Sequence, residues 1–284
     1  MLVHSIDQAQ AWLRTRRNRG GKIALVPTMG ALHEGHLSLV DTAKRHADHV
    51  VVTIFVNPRQ FAAHEDLDSY PQSLDADYRM CQDRGVGLVL APAASEIYPP
   101  GYQTSVRVNE LGQNRLCATS RPHFFGGVAT VVLKLLNIAM ADIAVFGEKD
   151  YQQLQVIRRM CADLHHPTRI MGSPLVREAS GLAMSSRNRY LSDEEKEAAA
   201  AIFRALSEIA ARVAAGQRET EPLIRWAKAE IEAAGGAIDY VQTVDATTLE
   251  PIASVQSPGR ALAAARFGPA RLIDNVALEV ATAR

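Results

Sequence analysis

The chain has 284 residues, 47% of them hydrophobic and 22% charged, which is enough for one large or two modest domains without disulfides or a structural metal. Lys plus Arg total 31 and Asp plus Glu total 31, and a formal net charge of zero argues against nucleic acid or an anionic membrane as the main partner. No apolar run approaches the ~20 residues that span a bilayer, and the N-terminus lacks the layout of a signal peptide. Cys81, Cys117 and Cys161 form no C-x-x-C pair, so the expectation is a cytoplasmic protein with three ordinary thiols.

In chain order, Lys22 to Pro27 reads as a buried strand, followed by a loop and a helix carrying Leu37, Val40 and Ala43. Val50 to Val56 is the clearest strand, β-branched and apolar on both faces as parallel strands are. A helix near 73–84, a strand at 86–91 and a helix with Val128, Val131, Val132, Leu135, Leu136 and Ala139 at helical spacing come next. Ile143 to Phe146 reads as a strand and Tyr151 to Leu164 as a helix. Strands separated by helices of this length imply an α/β fold with a Rossmann-like, doubly wound parallel sheet over residues 1–174. Ligands in such sheets lie at the carboxyl ends of the strands, which directs attention to the loops after Val26, Val56 and Phe146.

Beyond about residue 175 the pattern changes to a smaller α+β domain, 175–284. Ser192-Asp-Glu-Glu195 is a capping box opening an Ala-rich helix with Ile202, Leu206, Ile209 and Val213 on one face, ending at Gly216. A second helix is expected from Thr220 to Gly235, with strand-like pieces at Asp239–Val244 and Arg260–Ala264.

Four motifs carry chemistry. In Pro27-Thr-Met-Gly-Ala-Leu-His33-Glu-Gly-His36, Gly30 and Gly35 let the backbone approach a ligand. His33 and His36 stand where a helix begins, beside its unpaired N–H groups and positive dipole end, an arrangement suited to a polyphosphate. Zinc-protease helices place their histidines four apart, so this three-residue spacing does not fit a His-ligated zinc. After the strongest strand, Asn57 and Gln60 offer amides that could fix a hydroxylated carboxylic acid, although a satisfied Asn-Pro turn explains the pattern about as well. In the third motif, Gly147 permits a base or ribose against the backbone, Lys149 supplies a mobile positive charge, Asp150 can accept from ribose hydroxyls or pin the lysine, and Gln153 points one turn into the helix. In the fourth, Met184-Ser185-Ser186-Arg187-Asn188, two hydroxyls and a guanidinium make a phosphate clamp.

Together these blocks, with Phe146-Gly-Glu-Lys-Asp-Tyr-Gln-Gln-Leu154 and the late Ala270-Arg-Leu-Ile-Asp-Asn275, resemble the pantothenate synthetase family of the His-x-Gly-His nucleotidyltransferases, essentially from end to end. The resemblance implies that Met29, Gly30, Ala31, Leu32, His33, Glu34, Gly35 and His36 hold ATP, with both histidines at the phosphates and His36 as the principal acid or charge donor. It further implies that Gly147, Glu148, Lys149, Asp150 and the backbone at Val176 contact the nucleotide. Met184, Ser185, Ser186 and Arg187 would form the phosphate clamp. Gln60 would hold pantoate and border the β-alanine site, and Gln153 would be the second pantoate anchor; Asn57 joins them as a substrate-binding candidate on its amide alone. His36, His33, Lys149 and Arg187 are thus the expected catalytic residues.

The implied reaction is attack of pantoate's carboxylate on the α-phosphorus of ATP, then attack of β-alanine's amine on the pantoyl adenylate, releasing pyrophosphate and AMP. Magnesium would be held mainly by the ATP phosphates, with no protein-ligated metal and no tightly bound organic cofactor. A homodimer is also implied. Two departures stand out: Phe124 takes a family histidine position, with His123 beside it, and Gly126 takes a frequent arginine position. Where some members carry residues thought to lie near magnesium, Asp77 matches but Ala76 and Met80 do not. A nucleotidyltransferase that keeps the nucleotide on its product and a non-catalytic nucleotide-binding module are the rival readings.

Overall fold

The computed structural model describes residues 1–62, 65 and 67–279, and divides into two compact units. The first comprises Met1–Asn114, Arg121–Glu148 and Gln153–Pro174, and the second Arg115–Ser120, Lys149–Gln152 and Leu175–Arg284.

The first unit is built on six parallel strands: β1 (Leu2–Val3), β2 (Ile23–Thr28), β3 (His49–Ile54), β4 (Leu88–Leu90), β5 (Ile143–Gly147) and β6 (Arg169–Ser173). Their order is β1-β4-β3-β2-β5-β6. The chain moves outward from β2 through β3 to β4, then crosses back to lay β5 on the other side of β2. Strand order therefore reverses between β2 and β5, where a doubly wound sheet opens a crevice at its carboxyl edge.

Alternation along the strands buries both faces. Ala24, Val26, Val50, Val52, Ile143 and Val145 form one core with Leu39, Val40 and Ala43 of the helix Glu34–Lys44 and Cys81 of the helix Leu74–Asp83. Leu25, Val51, Leu88, Leu90 and Ala144, one residue out of phase, are also buried, as the period of two requires. The helix Phe124–Ala139 packs against β2 and against the helix Ile6–Arg17, which also meets β4.

β1, β6 and the helix Ile6–Arg17 have no counterpart among the elements expected from sequence. A two-residue strand carries no periodicity, and β6 is a mostly half-exposed edge strand. The N-terminal helix did carry signals: Ser5 caps it by accepting from the Gln8 N–H, and Ala9, Trp12 and Leu13 form its buried stripe. β3 ends at Ile54, two residues short of the expected Val56, because Phe55 to Asn57 leave the sheet for a 3-10 turn at Pro58–Gln60.

The second unit packs helices on the antiparallel sheet β7 (Ala237–Asp245), β8 (Gly259–Phe267) and β9 (Ala270–Leu278), in that order. The capping box is present: Ser192 Oγ accepts from the Glu195 N–H at 3.2 Å, and the Ser192 N–H donates to Glu195 Oε2 at 2.8 Å. The single Ala-rich helix expected after it is two, Asp193–Ala199 and Ala201–Ala214, divided at Ala200. Ile202, Leu206, Ile209 and Val213 join Leu223, Ile231 and Phe267 in one core. β9 was not anticipated as a strand. It returns on β8 through a two-residue connection in which Gly268 takes φ 49°. All three cysteines are buried thiols, and burial pushes Cys81 up to about 12 and Cys161 up to about 11, which suits packing rather than nucleophilic chemistry.

Candidate active site

The loop leaving β2 turns through two consecutive left-handed residues, Gly30 at φ 86° and Ala31 at φ 51°. Glycine adopts this conformation without strain, whereas alanine pays a steric penalty that the surroundings must offset. The offset comes from Asp77, which is 1% exposed on the helix Leu74–Asp83. Its Oδ2 accepts from the Ala31 N–H and its Oδ1 from the Leu32 N–H, both at 2.8 Å, and Ser73 Oγ donates to Oδ1 at 3.3 Å. Asp77, considered from sequence only beside a metal, is thus a clamp on the loop that carries the histidines.

His33 is the N-cap of the helix Glu34–Lys44, and its Nδ1 accepts from the Gly35 N–H at 3.1 Å. Accepting at Nδ1 places the ring proton on Nε2. His36 follows in the first helical turn, its ring centroid 4.1 Å from that of His33. Both imidazoles therefore stand at the positive end of the helix dipole, at the carboxyl edge of the sheet beside the reversal point.

The loop leaving β3 carries Asn57 and Gln60, both buried. Asn57 Nδ2 donates to Gln60 Oε1 at 3.1 Å and to the Gly127 carbonyl at 3.2 Å, and Gln60 Nε2 donates to Met29 Sδ at 2.7 Å. This last contact joins the β2 and β3 loops. The helix Phe124–Ala139 reaches the turn because residue 127 is glycine. An added Cβ there would lie 2.3 Å from the Arg59 carbonyl oxygen and 2.9 Å from the Gln60 nitrogen, both backbone atoms that cannot swing aside. Gly127→Ala is accordingly expected to destabilise the first unit by ~1–3 kcal/mol and to displace Gln60. Thermal unfolding and the KM for the acid substrate check this together; an unchanged value of both would contradict the close approach.

β5 ends at Gly147, where an added Cβ would meet only Leu39 Cδ2, at 3.9 Å. A turn at Glu148–Asp150 leads into the helix Tyr151–Asp163. Its adjacent glutamines differ in role. Gln152 Oε1 accepts from the Cys117 N–H at 3.0 Å and its Nε2 donates to the Arg115 carbonyl at 2.9 Å, a structural pairing. Gln153 makes no side-chain hydrogen bond among the described residues.

Within the second unit, the Met184 N–H donates to the Val176 carbonyl at 3.0 Å, bringing those two expected nucleotide contacts together. Ser185 caps the 3-10 turn Ser186–Tyr190, its hydroxyl accepting from the Arg187 N–H at 3.3 Å. Two supports here were not read from the sequence. Asp274 takes a bidentate grip on Arg177 at 2.6 and 2.9 Å, and burial raises its carboxyl above the ordinary value, with Arg177 opposing. Asn275 Nδ2 donates to the Lys149 carbonyl at 3.1 Å, tying the lysine's backbone to β9. The signal was present in the block ending Asp274-Asn275, but no local pattern names its partners.

The family described as pantoate-beta-alanine ligase matches residues 1–277. The chain belongs to the pantoate-beta-alanine ligase family. A pantothenate synthetase of Myxococcus xanthus is 50% identical over 280 residues, covering 98% of this chain and 96% of the relative. That of Caulobacter vibrioides is 49% identical, covering 98% of each. The pantothenate synthetase of Thermus thermophilus superposes with a TM-score of 0.92 at 41% identity, covering 97% of this chain and 98% of that one. The pantoate-beta-alanine ligase of Francisella tularensis, whose structure is a complex with beta-gamma ATP and beta-alanine, gives 0.81 at 34% identity over 97% of each chain.

Phe124 and Gly126, the two positions set apart in the sequence, both lie in the helix Phe124–Ala139. Phe124 places its ring centroid 3.8 Å from the Arg121 guanidinium carbon, a cation–π contact. Arg121 is further held by Glu65 at 2.5 and 2.7 Å and donates to the Gln60 carbonyl at 3.2 Å. His123 is exposed and lines a cavity of about 460 Å³ with Arg59 and Arg107. At Gly126 an added Cβ would meet nothing nearer than 3.9 Å, so the position has room for a larger side chain.

Proposed function

We infer that this chain condenses pantoate with β-alanine at the expense of ATP, through a pantoyl adenylate, releasing pyrophosphate and AMP in pantothenate biosynthesis. The observation that carries this reading is the His33–His36 pair at a helix N-terminus beside the strand-order reversal, joined through Met29 to the Gln60 amide. One loop offers donors suited to phosphates and the next offers an amide suited to a hydroxy acid. The Francisella relative's complex with beta-gamma ATP and beta-alanine supports the same substrates here.

A carboxylate is ionised at neutral pH, so the first step needs no general base. The protein's task is to align the pantoate oxygen with the α-phosphorus and to neutralise charge on the phosphates. His33, through Nε2–H, and His36 meet phosphate oxygens; Lys149, Ser185, Ser186 and Arg187 supply further donors. Met29 to Leu32, Glu34, Gly35, Gly147, Glu148, Asp150, Val176 and Met184 complete the nucleotide contacts. Gln60 and Gln153 hold pantoate, with Asn57 behind Gln60. In the second step the neutral amine of β-alanine attacks the acyl carbon and AMP leaves.

Magnesium accompanies the ATP phosphates. We propose no protein-held ion: each oxygen of Asp77 already accepts from a backbone N–H at 2.8 Å, which commits the carboxylate to the loop. No helix among the described residues is long and apolar enough to cross a membrane. A cytoplasmic homodimer is the assembly proposed.

Phosphorus NMR of ATP–magnesium with the purified protein, omitting each substrate in turn, tests the reaction. AMP and pyrophosphate should appear together, dependent on pantoate, and require β-alanine for multiple turnovers. ADP with phosphate, a stable adenylylated product, or unchanged ATP would each overturn the assignment.

A further inference from the structure

We propose that Tyr98 is a positioning residue for pantoate. Its phenol, acting through Asn57, locks the Gln60 side chain so that the amide presents its N–H₂ edge, and only that edge, to the substrate.

The backbone sets the orientation. Asn57 Oδ1 faces the Arg59 N–H at 3.3 Å, a group that can only donate, while Asn57 Nδ2 faces the Gly127 carbonyl at 3.2 Å, a group that can only accept. The Asn57 amide therefore cannot be reversed without facing donor to donor and acceptor to acceptor. With Oδ1 so placed, Tyr98 Oη at 2.8 Å must be the donor to it. With Nδ2 so placed, it donates to Gln60 Oε1 at 3.1 Å, which turns Gln60 Nε2 towards Met29 Sδ. Sulfur is a weak acceptor, readily exchanged for an oxygen. The group that meets Gln60 must then be an acceptor, a carboxylate or hydroxyl oxygen of the acid substrate, and an amine or ammonium group is rejected there.

Tyr98 is itself fixed on several sides. Phe55 and Tyr102 pack against its ring at centroid distances of 6.2 and 5.2 Å, and the Arg59 guanidinium lies 4.7 Å from its centroid. Burial pushes its phenol up to about 12, with Arg59 opposing, so the hydroxyl keeps its proton through the working pH range. Asn57 is 1% exposed and uses both lone-pair directions and both N–H groups, leaving water no part in the chain.

The role rests on Gln60 as the pantoate anchor, so the wild-type protein is assayed first for pantoate-dependent pyrophosphate release. No release would remove the functional reading itself, before any variant is compared. Given release, Tyr98→Phe retains the ring and its packing and deletes one hydrogen bond. The KM for pantoate should rise about five- to tenfold, with the KM for ATP unchanged. Tyr102→Phe, whose hydroxyl makes no hydrogen bond among the described residues, should behave as wild type. In a Gln60→Ala background Tyr98→Phe should add nothing further, the non-additivity expected of residues acting through one another. Asn57→Asp keeps the acceptor for Tyr98 but removes the donors to Gln60 and to the Gly127 carbonyl, and should show the same pantoate-selective loss together with lower stability even if Tyr98→Phe folds poorly. An unchanged pantoate KM, an equal rise for ATP and pantoate, or the same penalty in both backgrounds would overturn the proposal.

Discussion

Replacing His36 with alanine is expected to lower the rate of pantoate-dependent pyrophosphate release by ~10²–10³-fold, the scale for removing one preorganised donor from developing charge. The variant should fold as wild type does. His36 lies in the first turn of the helix Glu34–Lys44, where alanine is the better helix former, and the cap belongs to His33 rather than to His36. That division makes His36 the cleaner test. His33→Ala would remove a capping acceptor as well as an imidazole, costing ~1 kcal/mol of stability for a reason unconnected with catalysis. His33→Asn separates the two functions, since asparagine keeps an acceptor for the Gly35 N–H while removing the ring. Rapid-quench measurement of the first turnover reads the adenylation step directly. A folded His36→Ala protein releasing pyrophosphate at a near-normal rate would take His36 out of the mechanism.

The parallel sheet was legible in the sequence because its central strands are apolar on both faces, as in Val50 to Val52 and Ile143 to Val145. Three of the motifs were legible because each lies where a strand runs into a helix or a 3-10 turn, and the fourth because its two hydroxyls and a guanidinium stand together in sequence. The residues that hold the motifs in place were not. Asp77 reaches loop residues on the far side of β3, Tyr98 reaches Asn57 from beyond β4, and Asn275 reaches Lys149 from the last strand. Each acts through one hydrogen bond or a pair of them between parts of the chain that only the folded topology brings together. No periodicity or spacing encodes such a contact. Secondary structure failed for the same reason at β1, whose two residues are a strand only because β4 lies beside them.

Asp77 is where that hidden support has its largest expected effect. The left-handed turn at Gly30 and Ala31 turns the Ala31 and Leu32 N–H groups to the buried Asp77 carboxylate, which accepts from both at 2.8 Å. Asp77→Asn keeps the shape but offers one oxygen and one N–H₂, so one backbone donor meets another donor. The loss of a charged acceptor and an unsatisfied buried N–H should together cost ~2–4 kcal/mol. Because the same loop delivers His33 and His36, the KM for ATP should rise by about tenfold or more, a displacement of ~1 Å being enough for larger losses. The left-handed Ala31 supplies an internal control. Ala31→Gly in the Asp77→Asn background relieves a steric cost of ~1 kcal/mol and should restore that much stability without restoring ATP affinity, since the loop would be relaxed but still unclamped. Urea unfolding beside ATP titration separates the two quantities. If Asp77→Asn unfolds like wild type and loses only magnesium dependence, the carboxylate serves the metal after all, and the clamp is incidental.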